Sequence, residues 1–198
     1  MSISSFLTKK FLKSLFFPAH NRGKALPKGL IRLLKKQPGF WDLPELPEIG
    51  SPLSNSGLIH DAQISISKKV NTKKCFFGVN GASGLIQSGI IAMANPGEYI
   101  LMPRNVHISV IKACALQNII PIFFDIEFSR VTGHYMPITK KWFTNVFNNI
   151  DFDNSKIAGV ILVSPYYQGY ATDLEPLIKI CCLLYTSDAA DDLLWVDL

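Results

Sequence analysis

A chain of 198 residues, 48% hydrophobic and 18% charged, has a globular composition and enough length for one core or for part of a larger domain. Its apolar runs last only a few residues, far short of a bilayer span, which excludes a helical membrane span. The formal net charge of +5 is unevenly placed: residues 1–40 carry nine Lys or Arg and no acid, and residues 41–198 carry eleven bases against fifteen acids.

A basic arm of this kind suits nucleic acid or an anionic membrane. Its opening, "MSISSFLTKKFLKSLFFPAH", reads instead as an amphipathic helix with Phe6, Leu7, Phe11, Leu12, Leu15 and Phe16 turned towards a partner surface. Neither a nucleic-acid nor a membrane partner is expected from it. Lysines interrupt the apolar stretch and no small-residue cleavage site follows, so a cytoplasmic protein is expected. The cysteines (Cys75, Cys114, Cys181, Cys182) lack C-x-x-C spacing, and no two histidines stand four residues apart. Reduced thiols and no metal site follow from that.

Past the arm, "FFPAHNRGKALPKG" breaks any helix, and "LIRLLKKQ" predicts one or two helical turns. "WDLPELPEIGSPLSNSG" holds too many prolines for helix or central strand and predicts an ordered loop, a kind of segment that often carries function. "LIHDAQISISKKV" predicts a helix. From residue 75 the pattern alternates: strand-like runs "CFFGV", "YILMP", "IIPIFF" and "IAGVILVS" are separated by helix-compatible stretches at 84–94, 107–117, 139–149 and 173–182. The fold class is therefore α/β, with a mostly parallel sheet covered on both faces. Ligands of such sheets bind at the carboxyl ends of the strands. Those ends are "NGASG", "PRNVH", the turn in "FFDIEF" and "SPYYQGY".

"VNGASGLIQSG" lies between a predicted strand and a predicted helix, with Ser83 near the helix start. Free N–H groups and the positive end of the helix dipole make such a start a seat for phosphate. An N-capping serine after a tight turn explains the same residues. There is no G-x-x-x-x-G-K-[ST], and the glycines run G-x-x-G-x-x-G from Gly78 to Gly84, which is neither a P-loop nor a dinucleotide fingerprint. A G-x-S-x-G elbow is also missing. His107, in "LMPRNVHISVI", follows the next strand and is expected on the same edge of the sheet as Ser83.

Taken together, "FPAHNRG", "DLPELPEIGSPL", "FFGVNGASG", "MPRNVHISVI" and "SPYYQGYATDL" resemble, in order and spacing, the major domain of the Orn/Lys/Arg decarboxylases. These are pyridoxal-phosphate enzymes of fold type I, the aspartate-aminotransferase fold. The likeness covers roughly residues 16–181, and the "DLPELPEIGSPL" form is most similar to the cyanobacterial branch. The resemblance implies pyridoxal 5'-phosphate as cofactor, with Ala82, Ser83 and Gly84 holding its phosphate. It implies that His107 is catalytic and cofactor-binding, stacking on the pyridine ring. "SPYYQG" would lie near the other face or the substrate, although many relatives have Thr at the position of Tyr166. His20, in a motif usually written P-G-H-x-x-G, would shape a subunit interface. A basic amino acid (lysine, arginine or ornithine) is the implied substrate, and a homodimer or higher homo-oligomer the implied assembly. Other reactions of the same fold, aminotransfer or aldolase-type cleavage, and a non-catalytic paralogue are the alternatives.

The family continues with an Asp that pairs with the pyridine nitrogen and, further on, the lysine that carries the cofactor. Here "WVDL" offers Asp197, but "CLLYTSDAAD", residues 182–191, resembles a translated transposase sequencing adapter, and "DLLWVDL" resembles its usual continuation. The expected organisation is a basic arm at 1–40, a partial cofactor-binding domain with an incomplete sheet at 41–181, and a non-native tail at 182–198. No lysine of the chain stands in the expected Ser-x-His-Lys context, so a truncated, inactive fragment of a decarboxylase is expected.

Overall fold

The computed structural model describes residues 24–44, 46–150 and 156–184. The opening of the basic arm, the whole "FPAHNRG" segment with His20, and residues 185–198 of the tail lie outside the described residues. The chain divides into two compact units, residues 1–76 and 77–198, and each has its own internal logic.

In the first unit, α1 (Lys28–Leu34) begins after Pro27 and gives way to a 3-10 turn at Pro38–Phe40. The proline-rich loop is ordered, as its composition predicts. The Leu46 carbonyl accepts the N–H groups of Ile49 and Gly50, both at 2.9 Å. Glu48 and Ile49 carbonyls accept from Leu58 and Ile59 at the head of α2 (Leu58–Lys69). The buried Gln63 side chain of α2 reaches back to donate to the Pro52 carbonyl at 3.1 Å. Backbone groups that no regular element satisfies are thus paired locally.

The second unit is built on a parallel sheet in which Tyr99–Pro103 (β1) lies between Ile120–Phe124 (β2) and Ile157–Val160 (β5). Its elements run α3 (Gly81–Met93), β1 (Tyr99–Pro103), α4 (Ile108–Gln117), β2 (Ile120–Phe124), α5 (Lys140–Asn148), β5 (Ile157–Val160) and α6 (Glu175–Leu184), with a hairpin of β3 (Phe128–Ser129) and β4 (His134–Tyr135) after β2. Side chains alternate across a strand, and β1 shows the consequence. Ile100 and Met102 enter one core with Ile90 of α3 and Val110, Ala113 and Cys114 of α4. Leu101 enters a second core with Phe124, Ile138, Phe143 of α5 and Leu177 of α6. Both faces are covered, as the α/β reading requires.

Two strand expectations change, and one hairpin is new. "CFFGV" forms no strand: its chain is irregular, and Phe76, Phe77 and Val79 are exposed. The sheet of this unit is β2-β1-β5, and this segment joins none of its ladders; without a ladder an apolar run is not a strand. "IAGVILVS" pairs only through Val160. Leu101 still accepts the Ile161 N–H at 2.8 Å, but two residues on, the β1 position facing the same side is Pro103, which has no N–H to donate, and the ladder stops. The β3–β4 hairpin, with Phe128 edge-on to Tyr135 at 5.4 Å, was not foreseen from its short, mixed sequence.

α3 feeds β1 through residues 94–98, and β1 feeds α4 through residues 104–107. Helices so connected run opposite to the strands between them. The N-termini of α3 and α4 therefore both belong to the carboxyl edge of the sheet, one on either side of β1 in the chain.

Candidate active site

The head of α3 is an uncapped helix start. Asn80 occupies the N-cap position with no side-chain cap bond, and Gly81, Ala82 and Ser83 are the first three helical residues. Ser83 is thus not the N-cap, which removes the capping explanation of that serine. Gly81 has φ +70° and nothing within 4 Å of where a Cβ would stand; the left-handed conformation there favours glycine and leaves the backbone open to approach. At Gly84 the constraint is contact, since an added Cβ would stand 2.6 Å from that of Asn80. Ala82 and Ser83 are exposed and Gly84 is partly so. The first-turn N–H groups and one hydroxyl face no competing side-chain cap, the donor set that a phosphate ester needs.

His107 is the N-cap of α4, in extended conformation, and is exposed. Its Nδ1 accepts the Ser109 N–H at 3.2 Å and lies 2.8 Å from the Ser109 hydroxyl. Beside it, Arg104 at the end of β1 donates to Asp125 just past the end of β2 at 2.7 Å, and its guanidinium lies 5.7 Å from the Phe123 ring centre. The Asp125 carbonyl in turn accepts the Trp142 indole N–H at 2.8 Å. The Asn105 Oδ1 between Arg104 and His107 is buried without a hydrogen-bond partner among the described residues.

The "SPYYQGY" segment closes on itself: Gly169 N–H donates to the Tyr166 carbonyl, and Tyr166 N–H to the Tyr170 carbonyl, each at 2.8 Å. Tyr166 is 5% exposed and Tyr167 99%. Burial pushes the Tyr166 phenol above its ordinary value, opposed by the Thr172 side chain and the Ile138 backbone. Tyr166 is a packed residue, and Tyr167 is the tyrosine that reaches solvent. Lys179 lies in α6 with its ammonium 2.6 Å from Glu175, engaged within its own helix.

Ser83 and His107 stand out in the sequence as candidates; Ser109, Asn80 and the Arg104–Asp125 tie do not. An Asn directly before a glycine-led helix is a readable N-cap signal. The tie joins residues 21 apart in sequence and becomes visible only once β1 and β2 pair.

The Orn/Lys/Arg decarboxylase major domain, as a family, matches residues 17–185. The chain belongs to this family. Among its relatives, the arginine decarboxylase of Bacillus cereus is 26% identical over 163 residues, which is 82% of this chain and 35% of that protein. The arginine decarboxylase of Bacillus subtilis is 25% identical over 163 residues, covering 82% and 32%. The lysine decarboxylase LdcA of Pseudomonas aeruginosa is 25% identical over 135 residues, covering 68% and 16%. The chain therefore spans about a third of the length of the arginine decarboxylases it matches. Among solved structures, the constitutive lysine decarboxylase of E. coli superposes with a TM-score of 0.54 at 17% identity, over 83% of this chain and 24% of that one. A SepCysS–SepCysE N-terminal domain complex gives 0.55 at 21% identity, over 79% and 39%. Both share the fold of this Orn/Lys/Arg decarboxylase domain. The family match takes in the glycine turn and all the strand ends described above.

Proposed function

We propose that this domain binds pyridoxal 5'-phosphate at the carboxyl edge of its sheet and serves the decarboxylation of a basic amino acid: arginine, lysine or ornithine. One observation carries the reading. The uncapped start of α3 with Ser83 and the N-cap of α4 with His107 belong to the same sheet edge, on either side of β1. When bound, the cofactor supplies an electron sink for the pair left behind as carbon dioxide departs. The protein's part is placement. The N–H groups around Ala82 and Gly84 and the Ser83 hydroxyl would donate to the phosphate dianion. The exposed imidazole of His107 would lie against the ring face and restrict its tilt. The relatives' names, arginine and lysine decarboxylase, support the choice of a basic substrate.

We further propose the organisation read from the sequence: an arm at 1–40, cofactor-binding residues within 41–181, and a tail at 182–198 that is not native. On this reading the cofactor-bearing lysine is not among the residues of this chain, and the working enzyme is a homodimer or larger. Resequencing the locus past residue 181 tests the tail directly; recovery of the same 17 codons from source DNA would refute it.

The functional test uses the complete gene product with pyridoxal 5'-phosphate and each of the three amino acids. Visible absorption from retained cofactor and carbon dioxide release from at least one substrate are expected. Ser83→Ala removes one charge-assisted hydrogen bond and is expected to weaken cofactor retention roughly 10- to 100-fold. His107→Ala is expected to slow turnover more than it loosens binding. Equal affinity and rate in both variants would contradict the site.

A further inference from the structure

We propose that Ser109 is a positioning residue for His107: its hydroxyl and backbone N–H together hold the imidazole by Nδ1 and place the ring proton on Nε2. The catalytic consequence rests on the proposed role of His107 at the cofactor, but the hold itself belongs to this chain alone.

The geometry fixes the direction of each bond. A ring nitrogen that accepts a peptide N–H must present its lone pair, so Nδ1, 3.2 Å from Ser109 N, carries no proton. A neutral imidazole has one N–H, which then sits on Nε2. With Nδ1 an acceptor, the hydroxyl 2.8 Å away is the donor. Ser109 is 2% exposed, and a hydroxyl that deeply buried needs a partner; Nδ1 provides it. The opposite tautomer, or a doubly protonated ring, would set an Nδ1–H against the Ser109 N–H. His107 itself is exposed. The ring is thus gripped at one end by the first turn of α4, while its Nε2–H and its remaining surface are left to solvent or ligand. An aromatic partner docking on this ring would meet a rotamer already fixed, so less side-chain freedom remains to be lost on binding. Ser109 needs no contact with cofactor or substrate to do this.

The tautomer can be read without cofactor. In the complete protein with 15N-labelled histidine, ring-nitrogen shifts identify the protonated nitrogen, and loss of one signal in His107→Gln assigns it. The expected result is an Nε2–H form in the wild type. In Ser109→Ala, the Nδ1–H share should rise roughly three- to tenfold, the ratio that one net hydrogen bond supports. Ser109→Thr keeps the hydroxyl and should restore the wild-type pattern. In the loaded enzyme, Ser109→Ala should lower kcat with KM nearly unchanged, and Ser109→Thr should recover it. A wild-type ring protonated on Nδ1 overturns the proposal, as does an unaltered ring signal in Ser109→Ala; should that variant not fold, the wild-type tautomer decides alone. If the hold is present but the complete protein ignores pyridoxal 5'-phosphate, the functional reading fails and the positioning role of Ser109 towards that ring loses its catalytic meaning, a separate outcome.

Discussion

At the level of single residues, the domain separates the proposed ligand-holding groups from the groups that fix them in place. Ser83 stands third in α3, within the first turn of a helix whose N-cap, Asn80, leaves its first N–H groups without a side-chain partner. The glycine spacing made this turn legible, because only a permissive backbone turns from an extended segment into a helix so abruptly. Whether Ser83 was the N-cap was not legible, since it depended on where the helix began. Gly81→Ala is expected to cost about 1–2 kcal/mol through its left-handed conformation alone, because open space surrounds the site. A denaturant midpoint shifted by that much, with Gly81→Asn less affected, would show that the turn is held by conformation rather than contact. His107 was legible from its place after a strand; its anchor was not, since H-x-S is a common string.

Among the elements, β1 is the piece from which the rest takes its position. Its alternation sends Ile100 and Met102 one way and Leu101 the other; the all-apolar "YILMP" shows the strand but not which residue enters which core. "CFFGV" has an equally good strand composition, yet composition states only a willingness to pair, and the partners decide. α5 shows the energetic side. Phe143 is fully buried and meets Phe147 at 4.9 Å and Phe124 at 6.0 Å. Phe143→Ala is expected to destabilise by about 3–5 kcal/mol, measured by urea unfolding; a loss under 1 kcal/mol would mean that the second core closes without it. In α6, Lys179 holds the Glu175 carboxyl below its ordinary value and is itself held above its own. The carboxylate's support is present above the unfolded carboxyl value and fades as pH falls through the lower folded one. Both side chains are exposed, so Glu175→Gln should leave the unfolding midpoint at neutral pH almost unchanged.

For the molecule as a whole, two buried ionisable groups bear on its alkaline stability and the sheet edges on its tendency to associate. Burial raises the Cys114 thiol, with an opposing backbone hydrogen bond, and burial likewise raises the Tyr166 phenol. In each case the unfolded chain gives up its proton first as pH rises. Their contribution to stability is therefore full below the ordinary thiol value of 9.0 and declines above it. Thermal midpoints followed from neutral to alkaline pH should fall, and Cys114→Ala should flatten the fall; an unchanged slope would assign the effect elsewhere. β2 and β5 each have one side unpaired among the described residues, and Ile120 and Phe123 of β2 are exposed. Such edges invite strand addition, so this chain should scatter light increasingly with concentration, and Ile120→Lys should reduce it. The claim on which the functional account depends is that the head of α3 seats a phosphate dianion. The most direct measurement is a pyridoxal 5'-phosphate titration of the complete protein beside Ser83→Asp, which puts a carboxylate where the phosphate would sit. Saturable binding in the wild type, lost in the variant while its unfolding midpoint is kept, is the predicted result. Equal binding in both proteins would contradict the account.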